Sequence, residues 1–284
     1  MNWRDLPVEE LARQYNNRGL VPDHGDFFAT WADWSEDYRS RAPAKLLDVA
    51  YGPGEAEKLD LFLPRVGNAP LHLFIHGGYW QSMGRKDFSF VAESVNDHGA
   101  AVAVMSYGLC PTVTMDEIVA QVRACAAFLL GHGRVLGIDA SRISISGHSA
   151  GGHLGAMLCA TDFSTLDSDL PNNPVSGAVL ISGLYDLQPL VPTPINDKVG
   201  MDMETAERNS PVHLPPRTRA PILCVAGSDE SPEFHRQMRE FTGRWAGTGA
   251  HITATAIPAT HHFSVVEAAF EVGGPILAMI DSAS

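Results

Sequence analysis

From residue 46 to residue 257 the chain alternates short apolar runs with segments of helical periodicity, and this alternation restricts its fold more than any other feature. The runs at 71–75, 101–105, 143–146, 178–181, 222–226 and 252–257 are short and rich in Ile, Val, Leu and Ala. Short, mainly apolar runs of this kind read as strands of a mostly parallel sheet buried on both faces. Between them, Met115, Ile118, Val119, Val122, Ala126 and Leu129 recur on one face of a helix. Strands and helices taking turns imply an α/β fold with helices covering both faces of the central sheet. Ahead of it, two strand-like segments at 46–51 and 58–63 flank Gly52-Pro53-Gly54, which predicts an antiparallel hairpin.

With 284 residues, 45% of them hydrophobic, the chain can bury one large core, and a single domain over 1–284 is expected. Two stretches stand apart from the alternation. Residues 1–45 form an N-terminal arm: an amphipathic helix over about 5–17, then the aromatic cluster Phe27, Phe28, Trp31 and Trp34. Such an arm either packs over the body, covering a site, or fills core. Residues 185–216, rich in Pro and polar side chains, are too long for an ordinary connection; they are either a small cap insertion near the site or a disordered surface loop.

Charge narrows the partners. A formal net charge of −13 repels phosphate backbones and anionic lipid surfaces, so a small-molecule substrate is expected rather than nucleic acid or membrane. Asp5, Glu9 and Glu10 stand where a secretory signal would need an apolar core, and no stretch approaches the ~18 apolar residues of a membrane span. A cytoplasmic location is the expectation, with a homodimer as the assembly to consider. Cys110, Cys125, Cys159 and Cys224 are widely spaced without a C-x-x-C pair and read as buried reduced thiols.

Gly147-His148-Ser149-Ala150-Gly151 places G-x-S-x-G between a predicted strand and a helix rich in small residues. That is the context of a nucleophile elbow, in which a sharp strand-to-helix turn exposes the serine hydroxyl above the sheet edge. A serine attacking a carbonyl develops negative charge on oxygen, which preorganised N–H donors must meet. His76-Gly77-Gly78-Tyr79-Trp80 follows the strand at 71–75, and the N–H groups of Gly78, Tyr79 and Ala150 would form that oxyanion hole. His76 is expected to orient the loop rather than act as a base.

In such hydrolases the chain order is Ser, acid, His. His153 is one helical turn beyond the nucleophile, while His235 and His251 precede the last strand. His261 and His262 follow that strand, where a loop can swing an imidazole over the sheet edge, so one of this pair is the base. The acid belongs on the loop after the strand at 222–226, where Asp229, Glu230 and Glu233 crowd together; Pro232 and Glu233 resemble a helix start.

These motifs, together with Ser182-Gly183-Leu184-Tyr185-Asp186-Leu187, Arg208-Asn209-Ser210-Pro211 and Ser231-Pro232-Glu233-Phe234, resemble the kynurenine formamidases, or arylformamidases, of the α/β-hydrolase superfamily. The resemblance runs from about 46 to 267, and His-Gly-Gly-x-Trp is far more specific to that group than G-x-S-x-G. It implies the α/β-hydrolase fold and a Ser, acid, His triad that needs no metal or other cofactor. The family's histidine lies just before a Phe, which selects His262, before Phe263. Ungapped alignment on Ser231-Pro232-Glu233-Phe234 puts the family's aspartate on Glu230, giving a Ser149, Glu230, His262 triad; a one-residue shift would put it on Asp229.

The implied reaction is hydrolysis of N-formyl-L-kynurenine to L-kynurenine and formate, a step of tryptophan catabolism. Tyr79 and Trp80, together with Tyr107 and the arm aromatics, are the expected walls for the aryl group, although each taken alone reads more readily as a core residue. A general carboxylesterase for small acyl or aryl esters would need the same catalytic residues and differ only in pocket shape. A metal-dependent hydrolase would need a cluster such as H-E-x-x-H, which is absent from the sequence. A non-catalytic binding protein of the same fold would have no need of Ser149 and His262 together.

Overall fold

The computed structural model describes residues 2–65 and 67–283. Eight strands, β1 (Ala44–Ala50), β2 (Lys58–Leu63), β3 (Ala69–Ile75), β4 (Ala101–Met105), β5 (Ile138–His148), β6 (Val175–Ile181), β7 (Ile222–Gly227) and β8 (Ile252–Ile257), make one sheet in the order β1-β2-β4-β3-β5-β6-β7-β8. The predicted hairpin is antiparallel, as is the β2–β4 pair, and every pairing from β4 to β8 is parallel. This is the α/β-hydrolase fold.

The period of two along each strand sorts its side chains between two cores. Leu71, Leu73 and Ile75 of β3 and Ala101, Ala103 and Met105 of β4 face one, while Phe74, Val102 and Val104 face the other. The first core is closed by α5 (Met115–Leu136), α6 (Ala150–Cys159) and α9 (Pro232–Ala246), the second by α4 (Ala92–Asp97), α10 (Ser264–Phe270) and α11 (Pro275–Ala283). Burial on both faces explains the apolar runs of β4, β6 and β7, whereas β8, expected to be buried in the same way, is the last strand of the sheet and is mostly exposed. α5 starts on a capping box: Thr114 Oγ1 accepts the Glu117 N–H, and the Glu117 carboxylate accepts the Thr114 N–H. It ends at Gly137, whose φ of +78° supplies the left-handed C-cap.

The arm is more helical than its sequence suggested. After α1 (Val8–Tyr15) and the one-turn α2 (Asn17–Leu20), the aromatic cluster lies on an 18-residue helix, α3 (His24–Arg41). Trp31 is fully buried against Phe88 and Phe90, its Nε1 donating to Glu267 at 2.9 Å, and the Tyr38 hydroxyl donates to Asn96 Oδ1 at 2.6 Å. α1 is fixed to α9 by the buried Tyr15 hydroxyl, which donates to Glu233 Oε2 and accepts from Gln237 Nε2.

Residues 185–216 are ordered rather than a loose loop. A 3₁₀ turn (Gln188–Leu190), α7 (Asn196–Val199), α8 (Met203–Arg208) and a second 3₁₀ turn (Pro211–His213) follow one another. Gln237 of α9 anchors the segment's start, its Oε1 accepting the N–H groups of Tyr185 and Asp186 at 2.6 and 2.8 Å. All four cysteines are buried free thiols. Among the described residues no helix is long and apolar enough to cross a membrane.

Candidate active site

The loops that follow β3, β5, β7 and β8 converge at the C-terminal edge of the parallel strands, where open α/β sheets bind ligands. Ser149 occupies the single residue between β5 and α6, with φ 56° and ψ −116°, a backbone strain that a non-glycine residue rarely bears. Its N–H is held by Ile181 O at 2.8 Å. The elbow is this tight because its glycines admit no side chain. A Cβ on Gly151 would stand 1.9 Å from Ile75 O, and one on Gly147 would stand 2.2 Å from Gly151 O.

The loop after β3 carries three consecutive residues at positive φ: Gly78, Tyr79 and Trp80. At Gly78 a Cβ would lie 2.2 Å from Ser82 O, so the turn requires glycine there. His76 beneath it is fully buried, its Nδ1 donating to Gly77 O at 2.7 Å and its ring stacked on Tyr107 at 4.3 Å. Burial pulls its pKa down to about 4, so it is a neutral prop for the loop. Ala150, the first residue of α6, is next to Ser149, and first-turn N–H groups have no intrahelical acceptor.

Tyr79 faces the cavity, and its hydroxyl donates to Tyr15 O at 2.7 Å, joining this loop to the arm. Trp80, expected beside it as a wall, is not one. The backbone turn directs its indole into the first core, where it is fully buried and donates to His153 Nδ1 at 3.2 Å. His153 in turn donates from Nε2 to Asn209 O, linking α6 to the 185–216 segment. Tyr107 is likewise buried, under His76.

Of the three acids after β7, Glu230 reaches the imidazole. Its side chain is wholly buried; Oε1 accepts the Gly227 N–H at 2.7 Å and the Ser182 hydroxyl, and Oε2 accepts Nδ1–H of His262 at 2.8 Å. Asp229 is exposed, and among the described residues its carboxylate accepts only from the neighbouring Ser228 hydroxyl, at 2.8 Å. Glu233 begins α9 as expected, but it is buried and paired with Arg236 at 2.8 Å.

His262 is held on three sides. Phe234 and His148 pack on its ring at 4.7 Å each, and its main-chain carbonyl accepts from His148 Nε2 at 2.8 Å. His261 turns the other way, its Nδ1 accepting the N–H groups of Phe263 and Ser264 at the start of α10. Because Nδ1 of His262 donates to Glu230, its Nε2 carries the lone pair, the tautomer required of a base.

Ser149, His262, Gly78 and Tyr79 share one cavity of about 580 Å³. Its walls come from α1 and α2 of the arm, from Phe28 and Trp31 of α3, from Met83, and from Pro194, Ile195 and Lys198 of the 185–216 segment. Arm and insertion therefore roof the site together. A buried serine, an oriented imidazole and a buried carboxylate beside apolar walls can run nucleophilic acyl transfer. Among the described residues, no group of three or more His, Cys, Asp and Glu side chains is placed to hold a metal ion.

Comparison with known proteins agrees with this architecture. A family model described as BD-FAE matches residues 59–231. Kynurenine formamidase of Salmo salar is 32% identical over 278 residues, covering 93% of this chain and 92% of that protein. The chain belongs to the kynurenine formamidase family. Kynurenine formamidase of Danio rerio is 31% identical over 94% of this chain and 92% of its own length. A crystal structure of a candidate thioesterase from Silicibacter sp. TM1040 superposes with a TM-score of 0.84 at 32% identity, covering 96% of this chain and 99% of that one. This member of the kynurenine formamidase family is a serine-hydrolase-type α/β-hydrolase.

Two further residues, to which the motifs of this kynurenine formamidase relative assign no role, support the triad. Ser182, at a positive φ of 49°, gives its hydroxyl to Glu230, and His148 supports the carbonyl of His262. His148 occupies the x of G-x-S-x-G, and nothing in the spacing says that its ring reaches a loop 114 positions on.

Proposed function

We propose that this chain cleaves an aryl formamide, converting N-formyl-L-kynurenine to L-kynurenine and formate through a formyl-enzyme on Ser149, with His262 as base and Glu230 as the acid of the triad. The observation that carries this reading is the Glu230–His262 hydrogen bond, which orients the imidazole in the aromatic-walled cavity that Ser149 also lines. Membership of the kynurenine formamidase family supports the choice of substrate.

His262 Nε2 takes the Ser149 hydroxyl proton as Oγ attacks the formyl carbon. The tetrahedral oxyanion is met by the N–H groups of Gly78, Tyr79 and Ala150. Glu230 stabilises the imidazolium, which returns its proton to the aryl nitrogen as the C–N bond breaks and the aniline leaves. Delocalisation of the nitrogen lone pair into the ring weakens this amide and makes its amine a better leaving group than an alkylamine. Water, deprotonated by His262, then attacks the formyl ester and releases formate, restoring Ser149.

The test is product identification. Purified protein incubated with N-formyl-L-kynurenine should yield kynurenine and formate in equal amounts, with Ser149→Ala and organophosphonate labelling of Ser149 each abolishing both. Kynurenine formation that survives loss of the Ser149 hydroxyl would defeat the mechanism. A general carboxylesterase is the second reading, favoured by the thioesterase description of the Silicibacter structure. It predicts that small aryl esters outcompete the formamide.

A further inference from the structure

We propose that Arg18 and Lys198 form a cationic rim at the solvent end of the cavity that binds the carboxylate of an anionic aryl substrate. The inference rests on the acyl-transfer reading of Ser149 and adds a specificity site to it. Both side chains line the cavity that holds Ser149, and both residues are exposed whereas Ser149 is buried. The lining is thus graded in exposure: Ser149 and His262 are buried, Phe28 and Tyr79 half-buried, and the charged Arg18 and Lys198 exposed.

The two cations are unspent. Arg13, the third on the rim, is neutralised by Glu10 at 2.7 Å, but among the described residues neither Arg18 nor Lys198 forms an ion pair. Arg18 lies 5.4 Å over the Phe28 ring, with Nη2 3.4 Å from Ser82 Oγ, which fixes the guanidinium on an aromatic wall and leaves its other N–H donors for a ligand.

In a chain of net charge −13, with 20 basic residues against 33 acidic ones, two unpaired cations at one opening attract anions that the rest of the surface repels. They come from the two elements that roof the site, Arg18 from α2 and Lys198 from α7, so an anion held by both would also draw arm and insertion together. Glu9, the one carboxylate among the cavity residues, suits an α-ammonium beside that carboxylate.

The test uses the full-length protein with two aryl acetates, one carrying a propanoate side chain and the other the corresponding propanamide, alongside N-formyl-L-kynurenine. Wild type should prefer the propanoate. Arg18→Gln and Lys198→Gln should each lower kcat/KM for the propanoate roughly tenfold, mainly through KM, and leave the propanamide within about twofold. Lys198→Arg should keep the preference.

Equal losses on both acetates, or no preference in wild type, would overturn the rim. Should the acetates behave as expected while N-formyl-L-kynurenine is not turned over, the formamide assignment fails and the anion site stands. Should the formamide be turned over equally by wild type and both variants, the site fails and the assignment stands.

Discussion

Replacing Glu230 by Gln isolates one atom of the site. The Oε1 position of Glu230 receives two donors, the Gly227 N–H at 2.7 Å and the Ser182 hydroxyl, so the amide oxygen of a glutamine must occupy it. The amide NH₂ then faces Nδ1 of His262, which can no longer donate there and must take the opposite tautomer. Nε2 becomes protonated and cannot accept the Ser149 proton. Loss of the base and of imidazolium stabilisation should together lower kcat about 10⁴-fold, roughly 5.5 kcal/mol of transition-state stabilisation.

Stability should change little, by about 1 kcal/mol, because the two donors keep their acceptor. Asp229→Asn alters only an exposed contact with Ser228 and should leave kcat within about twofold. The assay is steady-state hydrolysis of N-formyl-L-kynurenine and a nitrophenyl ester by the three proteins, with urea unfolding to verify the fold. A collapse in Asp229→Asn with Glu230→Gln intact, or Glu230→Gln within tenfold of wild type, would refute the reasoning.

Other expectations follow from buried contacts. Gly151→Ala would force a Cβ to 1.9 Å from Ile75 O, so it should cost several kcal/mol, at or above the ~3 kcal/mol upper range for overpacking, and abolish activity; a folded, active variant in urea and activity measurements would contradict the elbow geometry. Tyr15→Phe removes the hydroxyl shared by Glu233 and Gln237, and should cost about 1–2 kcal/mol and speed amide exchange in α1; unchanged exchange would mean that the arm is held otherwise.

Burial lowers the folded-state pKa of His72 to about 3, and of His76 and His153 to about 4, from 6.5. The unfolded chain therefore binds more protons below pH 6.5, and stability that is complete above that value declines as pH falls toward the folded values. Each should cost about 2 kcal/mol at pH 5. A urea midpoint unchanged between about pH 7 and 5 would show that these rings are not held neutral.

The central strands β4, β6 and β7 were legible because burial on both sheet faces leaves short apolar runs, and the elbow because a strained serine needs glycines at fixed offsets; β8 is mostly exposed, so its Ile and Ala content misstated its burial. α3 was less visible: Phe27, Trp31 and Tyr38 do recur at helical spacing, but Phe28 and Trp34 between them blur the stripe into an aromatic cluster. Between His261 and His262 the residues alone gave no choice; family resemblance selected the one that meets Glu230. Trp80 was misplaced because positive φ at Gly78, Tyr79 and Trp80 decides which side chain faces the cavity, and composition does not encode that direction. Ser182 and His148 act through partners 48 and 114 positions away, a separation that no local pattern reports.

The central claim is that a formyl group on an aryl amine is the acyl group this site transfers. Its most direct test is the ratio of kcat/KM for N-formyl-L-kynurenine to that for nitrophenyl acetate on the purified protein. The formamide should equal or exceed the ester, and both activities should vanish together in Ser149→Ala. A formamide value far below that of the ester would contradict it and leave a carboxylesterase.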